Sequence, residues 1–502
     1  MKTESRRGLR LAMAWIALAG LVALGVGCAT ARPGRQSFLK IDTPHFEIVS
    51  ARGREETIAL ARSLELFHAG CLALFGLETT PPGHGRTRVL AFDDRTLGRP
   101  FGVGGAASYL VPTVDQAELV FRVPGDWSER TSRSLRADYA RRLLRSVSPR
   151  RLPLWLEIGL AEVASAIQIR GDEIRLGAVV ETHAARIEDW RRSSFEGLLR
   201  TAHLADASAR ERALFEAQAF SLVHALVFGP SGPASPDAGF PRAYLEAWHR
   251  TSSGSGLQAA QDRELLGGDG EALADRVHAH LSRDRFPMRI LRPFGWELDE
   301  LGLRPVPQGD VEVLLGELAW ALGREAEAGR AFERALRQAP DHPRALTGLA
   351  RRRVGEDFEE AERLAQRAAR AAERDARVRA LVGRVHLQGV AAAGDEAERR
   401  RRAGEARRHL RASLTLDESS ASVRLDLAKV ATHLQEWEEA EAWLQAAGRR
   451  RPGALAVDLA LARLQWSRGW DAAARLQARD VLSRTSWHPF AEEARRYLQP
   501  AP

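Results

Sequence analysis

What most constrains this chain is a sequence that repeats itself, with a period of about 34 residues, over its C-terminal part. Leu315, Gly316, Ala328, Phe332, Ala335 and Pro340 recur at the same spacing as Leu427, Ala428, Ala440, Leu444, Ala447 and Pro452. A second copy keeps Leu349, Ala350, Ala361 and Ala368. A third runs from Leu381 and Gly383 to Ala406, Leu410 and Ser413, and a fifth has Leu461, Ala462 and Ala474. Such a unit is a pair of helices that cannot bury its apolar face alone, so copies must stack. The small residues let the paired helices approach, the larger ones fill the gap between them, and proline ends each unit. The third copy is stretched by AAAGDEAERRRR, expected as a loop or a longer helix.

This pattern resembles tetratricopeptide (TPR) repeats, placed over 309–500. The resemblance implies an all-α superhelix with no chemistry of its own, which offers a concave surface to a peptide or protein partner. Such an array makes its own core, so a linker is expected at 291–308 and an independent domain before it.

A different signal stands at 135–164, LRADYARRLLRSVSPRRLPLWLEIGLAEVA. Leu135, Tyr139, Leu143 and Val147 form an apolar stripe at helical spacing, and a second helix opens after Pro153. The segment resembles the core of peptidase MA-like (gluzincin, thermolysin-like) proteins, where H-E-x-x-H on one helix and a glutamate on the next hold zinc. The resemblance puts Ala137 and Arg141 at the two histidine positions, Asp138 at the general base and Ile158 at the ligand glutamate. Ala137 and Ile158 have no lone pair to donate, and the arginine cation repels a metal. Glu162 matches the carboxylate that orients a ligand histidine; with no such ligand it is expected as a solvated charge or an arginine partner. Trp155, Leu156, Gly159, Leu160 and Ala161 keep the shape of the second helix. No H-E-x-x-H occurs in the chain, His278 and His280 point to different helix faces, and His183, His203 and His224 are scattered. The expectation is a degenerate domain over 38–290 without catalytic residues, metal or cofactor.

The remainder of 38–290 reads as α+β. FEIVS, RTRVLAFDD, ASYLVP and ELVFRVPG suggest strands, 54–76 a helix, GDEIRLG a hairpin and FEGLLR a helix start. His45 belongs to the opening motif of the peptidase-like family. FEAQAFSLVHALVFG resembles that family's apolar helix, with Gln218 kept and Glu216 where a tyrosine is usual. GVGGAAS lacks the Lys and Ser/Thr of a phosphate loop. The fold class is an α+β gluzincin-like domain followed by an all-α TPR superhelix.

At the N-terminus, Lys2, Arg6, Arg7 and Arg10 precede an apolar run, the layout of a signal peptide over 1–27. Gly27-Cys28-Ala29 resembles a bacterial lipobox, which implies lipidation of Cys28, a tether over 28–37 and a Gram-negative outer membrane, on its periplasmic side. The chain has two cysteines, so a lipidated Cys28 leaves Cys71 without a disulfide partner. The formal charge of +8 does not indicate nucleic acid: three of those charges lie in the signal segment, and the remaining arginines alternate with glutamates along helices. The function expected is an exported protein-binding scaffold or assembly factor of the envelope, and not an enzyme. The alternatives are a hydrolase with a non-standard site, built on Asp138 and Glu162, and a purely structural envelope lipoprotein.

Overall fold

The computed structural model describes residues 38–81, 84–92, 108–111, 117–122, 133–147, 152–180, 183, 195–201, 204, 207–229, 240–250, 266, 270–283, 285–293, 302–484 and 488–498. The signal segment, Cys28, the tether, GVGGA and His203 lie outside them.

Strands β1 (Phe38–Asp42) and β2 (Phe46–Ser50) form an antiparallel hairpin with Ile41 opposite Ile48. The amide of Phe46 donates to Thr43 Oγ1 across the turn at 3.0 Å. Helix α1 (Arg54–Phe75) crosses over to β3 (Thr87–Phe92), which lies parallel to β2. Gly76 ends α1 in the left-handed conformation, φ 69°, which glycine adopts without strain. By length and composition α1 is apolar enough to cross a membrane; here Leu64, Phe67, Cys71 and Phe75 bury it in the core. Strands β4 (Ser108–Val111) and β5 (Ala117–Arg122) pair antiparallel, and β5 lies parallel to β3.

Two helices then lie against this sheet, α2 (Arg133–Val147) and α3 (Leu154–Ser165), followed by the hairpin β6 (Gln168–Arg170) and β7 (Glu173–Leu176). Helices α4 (Phe195–Arg200), α5 (Ala209–Phe228), α6 (Phe240–Arg250) and α7 (Gly270–Leu281) complete this part, and β8 (Arg289–Leu291) adds a third strand beside β7. Helices α3 and α5 pack so closely that a Cβ on Gly159 would stand 2.4 Å from the Ala219 carbonyl oxygen.

The segment expected as a linker, 291–308, is instead partly woven into the sheets. Leu291 belongs to β8. Strand β9 (Arg304–Val306) pairs antiparallel with β1, giving a six-stranded sheet of order β4-β5-β3-β2-β1-β9. The reason is the alternation of side chains across the sheet. Ile41, Phe46, Ile48, Val89 and Ala91 face α1, α2 and α3. Phe38, Val49, Leu90, Phe92 and Val111 point the other way, where Val311, Val313, Leu314 and Leu318 cover them. A sheet apolar on both faces needs a second layer, and the first repeat helix supplies it.

The repeat region consists of paired helices: α8 (Gln308–Ala321) with α9 (Glu325–Gln338), α10 (Pro343–Arg353) with α11 (Phe358–Ala371), α12 (Ala376–Ala391) with α13 (Glu396–Leu416), α14 (Ala421–His433) with α15 (Trp437–Arg450), and α16 (Leu455–Ser467) with α17 (Asp471–Arg484). Helix α18 (His488–Arg496) packs on the last pair. The polar insert lengthens α13, and Asp395 caps it by accepting from the Glu398 amide. Phe332 fills the space between units: a Cβ on Gly316 would lie 2.6 Å from its ring, and one on Gly348 2.5 Å. The array also returns to the α+β part near the end of its fourth unit, where a Cβ on Gly85 would lie 2.7 Å from the Arg451 guanidinium and one on Gly453 3.1 Å from Arg145 Cβ.

This packing predicts that a chain ended after Leu303 loses β9 and the cover of Leu90 and Phe92, so it melts lower and binds a hydrophobic dye. A chain ended after Ala339 keeps α8 and α9 and should bind markedly less dye. Dye fluorescence and thermal melts of the two truncations check this.

Candidate functional site

Two regions carry the candidate side chains: the contact between α2 and α3, and the inner face of the repeat array.

Between α2 and α3, the residues at the expected zinc-site positions come together, but as an ion-pair cluster. Ala137 and Ile158 are buried at 3% and 6% exposure. Arg141 Nη2 donates to Glu162 Oε1 at 3.3 Å, and Arg141 Nη1 lies 3.6 Å from Asp138 Oδ1. Burial alone would lower the affinity of Arg141 for its proton, but Asp138, Glu162, Glu216 and Glu157 outweigh it and hold the guanidinium above its ordinary value. A permanent cation thus sits among carboxylates at the second histidine position.

Glu162 has a further partner that the sequence left scattered: His183 Nε2 lies 3.2 Å from Glu162 Oε2, with the ring against Phe220. Burial raises the Glu162 carboxyl, but the His183 hydrogen bond and the Arg141 charge prevail and keep it below its usual range. The carboxylate therefore orients a histidine as well as pairing with an arginine. Nearby, Arg145 donates to Glu157 Oε1 through Nε at 2.9 Å and Nη2 at 2.6 Å. Gln218 is buried on α5. His224, also treated as isolated, lies with Nδ1 2.8 Å from His280 Nε2, while its own Nε2 lies 3.1 Å from the Gly177 carbonyl; His278 is exposed.

His45 is structural. Glu65 accepts from the His45 backbone amide at 3.0 Å and lies 2.7 Å from its ring Nδ1. Thr80 Oγ1 lies 2.8 Å from both His45 Nε2 and His68 Nε2, and His68 Nδ1 lies 2.7 Å from the Tyr139 hydroxyl. Burial, then the neighbouring His45, pushes His68 down to about 3, so it is neutral in the fold. This chain of hydrogen bonds ties the β1–β2 turn to α1 and α2 and satisfies the polar tip of Tyr139 on its otherwise apolar stripe.

On the array, the first helices of successive units lie side by side and form the inner face. Glu317 on α8 receives Arg344 Nε from α10 at 2.9 Å and Arg377 Nη2 from the start of α12 at 2.8 Å. Arg88 of β3 comes within 3.9 Å from the sheet. One carboxylate thus joins three repeat helices to the α+β part. Further along, Asp426 on α14 accepts from Arg384 Nε at 2.5 Å and Lys429 Nζ at 3.0 Å. Arg351 stacks over Trp320, 4.4 Å from the ring centroid. The inner face is therefore a ladder of arginines bridged by a few acids.

With this geometry in hand, comparison with known proteins gives one family match: the tetratricopeptide repeat model fits residues 398–476. No curated protein matches the chain. Among solved structures, a thermophilic TPR protein of Thermus thermophilus is 23% identical over 38% of this chain and 98% of its own, with TM-score 0.35. PilW, described as a widely conserved type IV pilus biogenesis factor, is 16% identical over 38% and 90%, TM-score 0.29. YrrB, described as a TPR protein with an unusual peptide-binding site, is 15% identical over 37% and 90%, TM-score 0.24. The C-terminal region thus carries TPR repeats, matched by the family model over residues 398–476.

The Glu317 knot sets a pH dependence. Burial alone would push this carboxyl up, but Arg377, Arg344 and Arg88 hold it at about 2, below the ordinary 4.5. A carboxyl lowered in the fold contributes stability that is present above its unfolded value and is lost as pH falls through the folded one. The contribution at neutral pH is on the order of 3 kcal/mol as an upper figure. Glu317→Gln is expected to melt lower than wild type at pH 7, with the gap closing between pH 5 and pH 2 in matched thermal melts.

Proposed function

We propose that the chain is an exported envelope protein that binds a protein or peptide partner on the inner face of its TPR array. The α+β domain serves as a catalytically inactive, peptidase-like platform, and Cys28 is the lipid anchor to the periplasmic side of a Gram-negative outer membrane. The observation that carries the binding role is the inner-face ladder itself. Arg351, Arg377, Arg384 and Lys429 give a groove of cations with few acids, suited to an acidic or carboxylate-bearing segment. The inactive platform rests on Arg141 among Asp138 and Glu162, where the resemblance to peptidase MA-like proteins would need a metal ligand.

Charge reversal tests the groove. Arg377→Glu with Lys429→Glu is expected to abolish retention of an envelope partner that wild type captures stoichiometrically. Arg363→Glu, whose side chain is 67% exposed on an outer helix, should retain it. Equal retention by both variants would move the binding surface elsewhere.

The inactive platform is tested separately. The purified chain should cleave no peptide substrate above a buffer control, with or without a chelator. A chelator-sensitive activity would make it an enzyme after all.

A further inference from the structure

The second and third repeat units bring together a group of histidines and carboxylates away from the zinc-site positions of the α+β part. His386 stands on α12, and Glu405 and His409 stand one turn apart on the lengthened α13. Each offers one donor atom, and the three atoms lie within 4.8 Å of one another. Glu362 of α11 closes the group, with Oε1 3.9 Å from His386 Nδ1, and Glu405 Oε2 is 3.9 Å from His409 Nε2. The two imidazoles lie parallel, centroids 5.7 Å apart with 5° between their planes.

We propose that His386, Glu405 and His409, with Glu362 at the rim, form a site for a divalent transition-metal ion of the zinc type. Two observations support it. Both histidines are buried, at 2% and 6% exposure, and Nδ1 of each has no hydrogen-bond partner among the described residues. A buried nitrogen without a partner is costly, and two such rings stacked on one another are hard to account for as packing, where leucine or alanine would serve. Finally, the carboxylates supply negative charge and a route inward, since the side chains of Glu362 and Glu405 are 24% and 36% exposed.

Two imidazoles with one or two carboxylates suit zinc, cobalt or nickel and are poor for calcium or magnesium, which prefer all-oxygen cages. Metal–ligand distances of about 2 Å require the donors to draw together; the partly exposed Glu405 can do so by changing rotamer. The group is also guarded. Arg408 pairs with Glu405 and places Nη2 3.0 Å from His409 Nε2, and Arg401 lies 3.7 Å from Glu362. Arg408 is 63% exposed, so an arriving ion can displace it into water. The bound ion would brace α11, α12 and α13 where the polar insert lengthens the array. This departs from the expectation of a metal-free chain and lies apart from Ala137, Arg141 and Ile158.

The test uses the full chain stripped with chelator, titrated with Zn2+ by calorimetry and with Co2+ by visible absorption. The expected result is one ion per chain, a raised Tm and a tetrahedral cobalt band, all lost in His386→Asn with His409→Asn. If that double variant misfolds, Arg408→Ala keeps the question open to measurement: it removes an exposed competitor and should tighten Zn2+ binding several-fold. Wild type that takes up no ion, an ion that stays bound in a folded double variant, or Arg408→Ala with unchanged or weaker binding would each overturn the site.

Discussion

The structure depends on a sheet that has no polar face. Every residue of β3 is buried, and its neighbours alternate between two apolar sets, one under α1 to α3 and one under α8. Burying the second set is worth about 25 cal/mol for each Å2 of apolar surface, and among the described residues it is the repeat array that buries it. The array is therefore a layer of the first domain as much as a domain of its own. That coupling places β9 at the edge of the sheet and positions Glu317 beside Arg88.

Polar groups in this arginine-rich chain are handled by bridging. Glu317 ties α8 to α10, α12 and the sheet, and Asp426 ties α12 to α14. Each acid takes more than one cation, which leaves the inner face positive overall while its buried carboxylates stay ionised. Between α2 and α3 the same device appears with opposite effect. There Arg141 neutralises a pocket of acids, so the charge that a metal would bring is already present on a side chain that cannot act as a Lewis acid.

The histidines divide by what surrounds them. His45, His68 and His84 belong to a hydrogen-bonded network centred on Tyr139 and Thr80, and His183 is held by Glu162. His386 and His409 share a buried, unsatisfied Nδ1 with His84, His183 and His280; among the described residues what sets them apart is that their donor atoms and that of Glu405 lie within 4.8 Å of one another.

The sequence by itself determined what depends on local periodicity. The spacing of Gly316, Phe332 and Ala335 and its copy at Ala428, Leu444 and Ala447 specified paired helices, because the small and large residues that let two helices meet must recur with the helix pair. The stripe through Leu135, Tyr139 and Leu143 specified α2, and the absence of donors at Ala137, Arg141 and Ile158 was legible residue by residue. Tertiary structure alone decided what depends on partners distant in the chain. Arg304–Val306 carries too short a pattern to be read as a strand, and it is one only because β1 offers an open edge. Glu162 meets His183, and His386 meets His409, through folding that sequence spacing does not encode. The two-faced burial of Val49 and Leu90, which joins the two halves of the molecule, exists only once α8 lies across the sheet.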